Sequence, residues 1–240
     1  MIVLIGVGHV FDIGDAVKSI VIDARPSAVC LELDDGRLTG LLTRQTGTGQ
    51  SRAYRSLGDF QSKIANSYGT TVGSEMLAAY DAAGLIGAKV YCIDMNAGEF
   101  FDSAFKSMSL KEKAYLLLNS IAARFARKKK IENELRHYQE NDVEYIEEFG
   151  RRFPSLKKVL IDDRNQHMAG GIRKIAENSR DVVAVIGDGH VEGIRALITD
   201  LQVKVIRLKE LRGMQKSTDA SGGTGGQSGN GQVSFSFEYR

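Results

Sequence analysis

Twice in this chain a short apolar run ends in Gly-x-Gly-His. Ile2-Val3-Leu4-Ile5 leads into Gly6-Val7-Gly8-His9, and Val182-Val183-Ala184-Val185-Ile186 leads into Gly187-Asp188-Gly189-His190. The sequence holds only 4 histidines in 240 residues, so two of them in one local context point to a shared role. Runs that are apolar on both faces suit strands of a parallel sheet covered by helices. In open α/β sheets ligands gather in the crevice beyond the carboxyl ends of the strands. The repeat therefore constrains the fold class and the place of a site together.

The segments between the two motifs agree with that class. Residues 15–23 carry helical periodicity through Val17, Ile20 and Val21, and Arg25-Pro26 ends it. A second apolar run follows at 28–33, so strand, helix and strand close within about 30 residues, the size of a βαβ crossover. Further strand-like runs at 88–94, 158–162, 182–186 and 203–208 bring the expected strands to six. Helices are expected at 57–68, 73–83, 166–177 and 191–201. Asp34-Asp35-Gly36-Arg37 reads as a turn, and 38–56 is ambiguous and partly loop. Ser109-Leu110-Lys111-Glu112 is a capping box, in which Ser and Glu satisfy the free amides of a helix start. It opens a helix expected to run to 130, and the charged stretch 131–152 continues it. Arg127-Lys128-Lys129-Lys130 reads as a solvated helix face.

The expected architecture is α/β: a mainly parallel central sheet flanked by helices over 1–212, with a helical insertion at about 105–153. Residues 213–232 read as a flexible Gly/Ser linker, since six of the ten residues from 222 to 231 are glycine. In 233–240, Val233, Phe235, Phe237 and Tyr239 alternate with Ser234, Ser236, Glu238 and Arg240, the period of a half-buried strand. That strand is expected to pair with a sheet edge of its own chain or with a second copy, giving a homodimer.

Composition removes several function classes. A net charge of +2 gives no strong bias toward nucleic acid or anionic lipid. No apolar run nears the roughly 18 residues that a membrane helix needs. No basic n-region with a cleavage site opens the sequence, so a cytoplasmic protein is expected. Cys30 and Cys92 lie inside apolar runs and read as buried free thiols of a reducing compartment, with no zinc spacing between them.

The candidate site is built on the two glycine turns. Gly6, Gly8, Gly187 and Gly189 permit close backbone approach to a ligand, and each turn is expected to lead into a helix whose first amides face the crevice. Neither turn is Gly-x-Gly-x-x-Gly, and no Gly-Lys-Ser/Thr follows, which argues against a phosphate loop. Neutral imidazole suits divalent transition metals, so His9 and His190 are the metal candidates. Glu32, at the end of the second apolar run, is expected to emerge beside His9. A buried carboxylate there needs a partner, and a salt bridge to Arg37 or Arg164 is the plain alternative to ligation. Glu75 heads a helix, as a ligand, a base or a carboxylate favoured by the helix dipole. Arg164, in Asp162-Asp163-Arg164-Asn165, could orient a carboxylate or clamp a substrate oxygen. Asp188 is a lesser candidate for a proton-transfer role, and His137 and His167 read as surface residues.

Five segments in order carry a family resemblance: Gly6-Val7-Gly8-His9-Val10; Val29-Cys30-Leu31-Glu32-Leu33-Asp34 with Pro26 and Arg37; Gly73-Ser74-Glu75-Met76-Leu77-Ala78-Ala79; Asp163-Arg164-Asn165 with Met168-Ala169; and Gly187-Asp188-Gly189-His190-Val191-Glu192-Gly193. Through them the chain resembles the TraB/PrgY family, which is related to Tiki-type metalloproteases and to the erythromycin-esterase and ChaN-like superfamily. The resemblance implies an α/β fold with a metal where the Gly-x-x-His motifs meet. It implies His9 and His190 as metal-associated and Glu32 or Glu75 as ligand or base. It suggests metal-dependent cleavage of a peptide, of the kind that lowers a secreted pheromone signal. The family usually has arginine after the third-strand aspartate, where this chain reads Ile93-Asp94-Met95.

The resulting expectation is a metal-dependent hydrolase, metallopeptidase-like, acting on a peptide or small peptide-like substrate. His9, His190 and Glu32 hold one manganese, cobalt or zinc ion, Glu75 is the general base or fourth ligand, and Arg164 stabilises the oxyanion. The alternative is a non-catalytic metal- or ligand-binding module that self-associates through its last strand. The missing arginine after Asp94 and the absence of His-Glu-x-x-His favour that alternative.

Overall fold

The structure is a computed structural model that describes residues 1–8, 11–43, 73–114 and 142–221. Strand β1 (Ile2–Val7) leads to helix α1 (Gly14–Ala24), β2 (Ala28–Leu31) and α2 (Asp35–Thr43). Then come α3 (Ser74–Ile86), β3 (Lys89–Cys92) and α4 (Ala97–Ser107). Helices α5 (Asp142–Arg152) and α6 (Pro154–Lys157) precede a π-helical turn, Lys158–Asp162, which runs into α7 (Asp163–Glu177). The described chain ends with β4 (Val182–Gly187), α8 (Asp188–Leu197), β5 (Val203–Ile206) and α9 (Leu208–Ser221).

The five strands form one all-parallel sheet in the order β3-β2-β4-β1-β5. β1 and β4 are its centre and are apolar on both faces, as a sheet covered on two sides requires. On one face Val3, Ile5, Val7, Val29, Leu31, Val183 and Val185 pack against α1, α3 and α9. On the other, Ile2, Leu4, Ala28, Cys30, Val182, Ala184 and Ile186 pack against α7 and α8.

This arrangement fixes where the chain reverses its winding. From β1 the chain crosses by α1 toward β2 and β3; from β4 it crosses by α8, on the opposite face, past β1 to β5. β1 and β4 are neighbours, with Val7 in register with Gly187. The ends of the two Gly-x-Gly-His strands thus lie side by side at the topological switch point, the place in such sheets where ligands bind.

Several sequence expectations need correction. The run 158–162 is not a strand. It continues the helix that Pro154 starts, with Leu156, Val159 and Leu160 packed beside Ala104 and Met95. Spacings of three and four residues connect these positions, and a short apolar run by itself does not distinguish strand from helix. The Asp34–Arg37 turn is instead the start of α2, and the region read as loop is helical as far as Thr43. β4 lies between β1 and β2, so Glu32 emerges beside β4 and not beside β1. α8 begins at Asp188, so the second Gly-x-Gly-His is the last strand residue, Gly187, followed by three residues of the first helical turn.

The capping box forms as read: the Ser109 amide donates to Glu112 at 2.7 Å, and the Glu112 amide donates to Ser109 Oγ at 3.2 Å. Glu112 also accepts from the Ser155 amide at 2.9 Å, tying this helix start to α6. α9 runs through the first residues of the stretch read as linker and reaches Ser221. His9, the helix expected at 57–68, His137, and the segment 222–240 with its alternating strand all lie outside the described residues. Among the described residues no helix is long and apolar enough to cross a membrane.

Candidate functional site

Glu32 is the first residue beyond β2, its amide still donating to Val185 on β4 at 3.0 Å. The sheet's alternation turns its side chain to the α7–α8 face, where it is 5% exposed. The Gly187 amide donates to Glu32 Oε2 at 2.5 Å. A Cβ at position 187 would lie 3.2 Å from that oxygen, so glycine makes the approach possible. The second glycine motif is in this way a seat for a carboxylate carried by a neighbouring strand.

Arg164, in the first turn of α7, neutralises that carboxylate. Its Nη2 donates to Glu32 Oε1. It also grips Asp94 side-on, Nε to Oδ1 at 2.9 Å and Nη2 to Oδ2 at 2.7 Å. Nη1 donates to the Leu160 carbonyl at 3.2 Å and meets His190 Nε2 at 3.0 Å. A guanidinium has five N–H bonds, and these contacts provide an acceptor for each. Burial works against the charge, but Glu32 and Asp94 outweigh it and hold the Arg164 pKa above its ordinary value.

His190 lies in the first turn of α8 and is 5% exposed. Its Nδ1 is 2.7 Å from Asn165 Oδ1, so Nδ1 carries the hydrogen and Nε2 presents its lone pair. That lone pair faces Arg164 and lies 3.5 Å from Glu32 Oε1. An acceptor holding the far ring nitrogen is the support that metal-binding histidines normally have.

Asp94 joins a second arginine to the cluster. Arg37 Nη2 donates to Asp94 Oδ2, and Arg37 Nε donates to Asp34 at 2.9 Å. Burial opposes the Arg37 charge, yet Asp94 and Asp34 raise its pKa. Asp34, Glu32 and Asp94 against Arg37 and Arg164 leave one excess negative charge, with His190 neutral.

Glu32, Arg164, His190 and Gly187 are therefore brought to one place by the carboxyl ends of β2 and β4 and the starts of α7 and α8, and Gly189 lies in the first turn of α8. Gly6 and Gly8 serve packing: a Cβ on Gly6 would lie 2.1 Å from Asp188 Oδ1, and one on Gly8 would lie 2.9 Å from Leu208 and Phe11. Glu75 is fully buried in the first turn of α3, a helix that covers the opposite face of the sheet. Asp188 is engaged away from the cluster, paired side-on with Arg207 at 2.9 Å and accepting from the Leu208 amide at 2.9 Å. His167 is exposed. Cys30 is buried, which pushes its thiol up to about 12, and both cysteines are free.

Sequence reasoning did not identify Asp94 or Asn165 as members of the site, and it gave Arg37 as a possible partner of Glu32; Arg37 and Asn165 otherwise stood only among the residues that carry the resemblance. The available signals were slight: an aspartate closing a strand-like run, and an asparagine beside Arg164 at the head of a helix.

Two of the candidate donors stand near the spacing of neighbouring ligands on one ion. Two ligands of one tetrahedral ion, each bonded at about 2.1 Å, stand roughly 3.4 Å apart. His190 Nε2 and Glu32 Oε1 are 3.5 Å apart. The Arg164 guanidinium, a cation, contacts both atoms. Among the described residues no group of three or more His, Cys, Asp or Glu is arranged to hold a metal; the pair Glu32 and His190 supplies two donors, and His9 is outside that set.

Comparison with known proteins agrees with the resemblance read from the motifs. Residues 95–209 match the model of the TraB/PrgY/gumN family. An uncharacterized protein of Methanocaldococcus jannaschii is 30% identical over 217 residues, covering 84% of this chain and 54% of the relative. The chain thus spans about half the length of the curated relative it matches.

Proposed function

We propose that this chain, a member of the TraB/PrgY/gumN family over residues 95–209, is a metal-dependent hydrolase of peptide or peptide-like bonds. The observation that carries the reading is the His190–Glu32 pair: a neutral imidazole nitrogen, oriented by Asn165, 3.5 Å from a buried carboxylate at the carboxyl ends of β2 and β4. The excess negative charge of the surrounding cluster supports a cationic cofactor.

His190 and Glu32 would hold the ion, and His9, carried by the chain beyond β1, is the proposed further ligand. Manganese, cobalt and zinc are the candidate metals. A bound divalent ion lowers the pKa of its water toward about 7 and polarises a substrate carbonyl. The protein's own residues set the rest. Asn165 keeps the proton on His190 Nδ1 and leaves Nε2 as a donor to metal. The Gly187 amide aims Glu32. Asp94 and Leu160 anchor Arg164 beside Glu32 and His190, and Arg164 is the proposed donor to a developing oxyanion. Glu75, fully buried at the head of α3, is the proposed general base.

The test is metal content and peptide turnover in the same preparations. Wild-type protein is expected to retain about one divalent ion after dialysis and to cleave members of a peptide library. His190→Ala is expected to lose both properties, and Glu75→Gln to keep the ion but lose cleavage. Full metal retention by His190→Ala would overturn the site. A metal-loaded wild type that cleaves nothing would favour a non-catalytic binding module. Self-association through the alternating segment 233–240, proposed with either reading, is checked by sedimentation of the full chain against one ending at residue 221.

A further inference from the structure

We infer that the outer edge of β5 is the docking site of the segment 233–240 of the same chain, which adds to the sheet there as an antiparallel strand. The inference builds on the segment proposed above for self-association and gives it a receptor: two copies associate by exchanging this strand, each β5 edge taking the segment of the other.

β5 ends the sheet, and among the described residues it pairs only with β1. The Ile2 amide donates to the Gln202 carbonyl at 2.9 Å. Backbone groups alternate sides along a strand, so those of Lys204 and Ile206 face β1 and those of Val203 and Val205 face outward. Such an edge is a template for a further strand. The side chains have two distinct sides as well. Val203 and Val205 lie half-buried on the α7–α8 face, and Lys204, in register with Val3, is exposed on the α1 face. The segment 233–240 has the same two-sidedness, with Phe235, Phe237 and Tyr239 alternating with Ser236 and Glu238. Setting Glu238 opposite Lys204 places Phe237 opposite Val205 and Tyr239 opposite Val203. One opposite-charge pair and two aromatic–β-branched pairs then form in a single register. Val203 and Val205 make the hydrogen-bonded pairs, and Lys204 with Glu238 is the closer, non-hydrogen-bonded pair.

Topology selects the edge and the direction. Crossovers toward β3 run through α1 and α3 on one face, and crossovers toward β5 run through α7 and α8 on the other. α9 lies on the α1 face, with Leu208, Leu211 and Met214 in that core. A parallel strand beyond β5, reached through α9, would therefore reverse the hand that the other crossovers share, and such connections are very rare. An antiparallel strand carries no such restriction, and an antiparallel edge on an otherwise parallel sheet is a common arrangement. Residues 222–232 reach about 36 Å when extended, more than the roughly 21 Å length of α9 that they have to retrace. β3, the other edge, is about 19 Å further across the sheet, beyond α1 and α3.

Cysteine pairs in the full chain test the docking. Lys204→Cys with Glu238→Cys is expected to close a disulfide within one chain, mapped by mass spectrometry, about tenfold faster than Lys89→Cys with Glu238→Cys, which probes the β3 edge. Equal rates at the two edges would reduce the link to random collision and overturn the inference. A 204–238 link found only between copies would overturn docking within the chain while self-association stands. A link within the chain in a protein that sediments as a monomer supports the docking while self-association falls. Hydrogen exchange supplies a readout without engineered cysteines. In the full chain with Phe235→Ser and Phe237→Ser, the outward amides of Val203 and Val205 are expected to exchange about tenfold faster than in wild type, with Lys204 and Ile206 unchanged. Unchanged exchange at Val203 and Val205 overturns the proposal.

Discussion

Arg164 and Asp94 are joined side-on, Nε to Oδ1 at 2.9 Å and Nη2 to Oδ2 at 2.7 Å, although 70 residues separate them. This fork is the mechanical centre of the site. Asp94 is held by the end of β3, where its amide donates to the Leu33 carbonyl at 3.1 Å and its Oδ1 accepts from the Met95 amide at 2.8 Å. A buried guanidinium fixed to a buried carboxylate at two points has little rotational freedom left, so its remaining hydrogens point in set directions.

Asp94→Asn removes a charge that two arginines share. Breaking one side of a buried pair costs about 3–5 kcal/mol, and a loss of that size is expected in urea unfolding. Arg37→Met, with its side chain 19% exposed, is expected to cost about 1 kcal/mol. The double variant should lose less than the two single losses combined, because the Arg37–Asp94 contact is counted in both. Strict additivity would exclude the coupling.

Glu32→Gln keeps the shape of the side chain and an acceptor for the Gly187 amide, but leaves Arg164 with one carboxylate. Asp94 still balances that charge, so a loss of about 2 kcal/mol is expected, below the cost of Asp94→Asn. Equal losses for the two variants would show that Glu32 and Asp94 share the charge of Arg164 evenly.

Gly193→Ala tests the support of His190 without touching a charged group. A Cβ at 193 would stand 2.1 Å from Asn165 Nδ2, too close for the amide to stay where it is. Asn165 then has to turn from His190 Nδ1. The expected results are a stability loss of about 1–3 kcal/mol and a change in the tautomer of His190 seen by nitrogen NMR. An unchanged tautomer would show that Asn165 does not set it.

Asp200 gives a pH signature away from the site. Its hydrogen bonds with Arg173, at 2.5 and 2.7 Å, lower its pKa from 3.8 to about 2. A carboxylate lowered in the folded state adds stability above its unfolded pKa and loses it as pH falls through the folded value. The difference in stability between wild type and Asp200→Asn should therefore be constant above about pH 5 and should shrink between about pH 4 and pH 2. A difference that persists at pH 2 would assign it to something other than this pair.

Much of this protein is legible in its sequence because much of it is local. β1, β2, β3 and β5 fall within expected apolar runs and β4 runs one residue past its own, to Gly187, because short apolar, β-branched runs mark strands both at the centre of the sheet and at its edges. The capping box is a four-residue geometry and is equally visible. The second Gly-x-Gly-His lies at the cluster because it follows a central strand, and ligands in such sheets gather beyond the carboxyl ends of the strands.

What the sequence by itself determined, then, is the class of sheet, the end of it that carries the site, and the three residues Glu32, Arg164 and His190 that meet there. Tertiary structure alone decided the strand order, which sets Glu32 beside β4. It also decided that 158–162 is a helical turn, because the packing partners Met95 and Ala104 are distant in the chain. The roles of Asp94, Arg37 and Asn165 were decided at the same level. Each acts through a hydrogen bond to a residue on another element, and the direction of a side chain across a sheet edge is fixed by packing, which no local pattern of residues encodes.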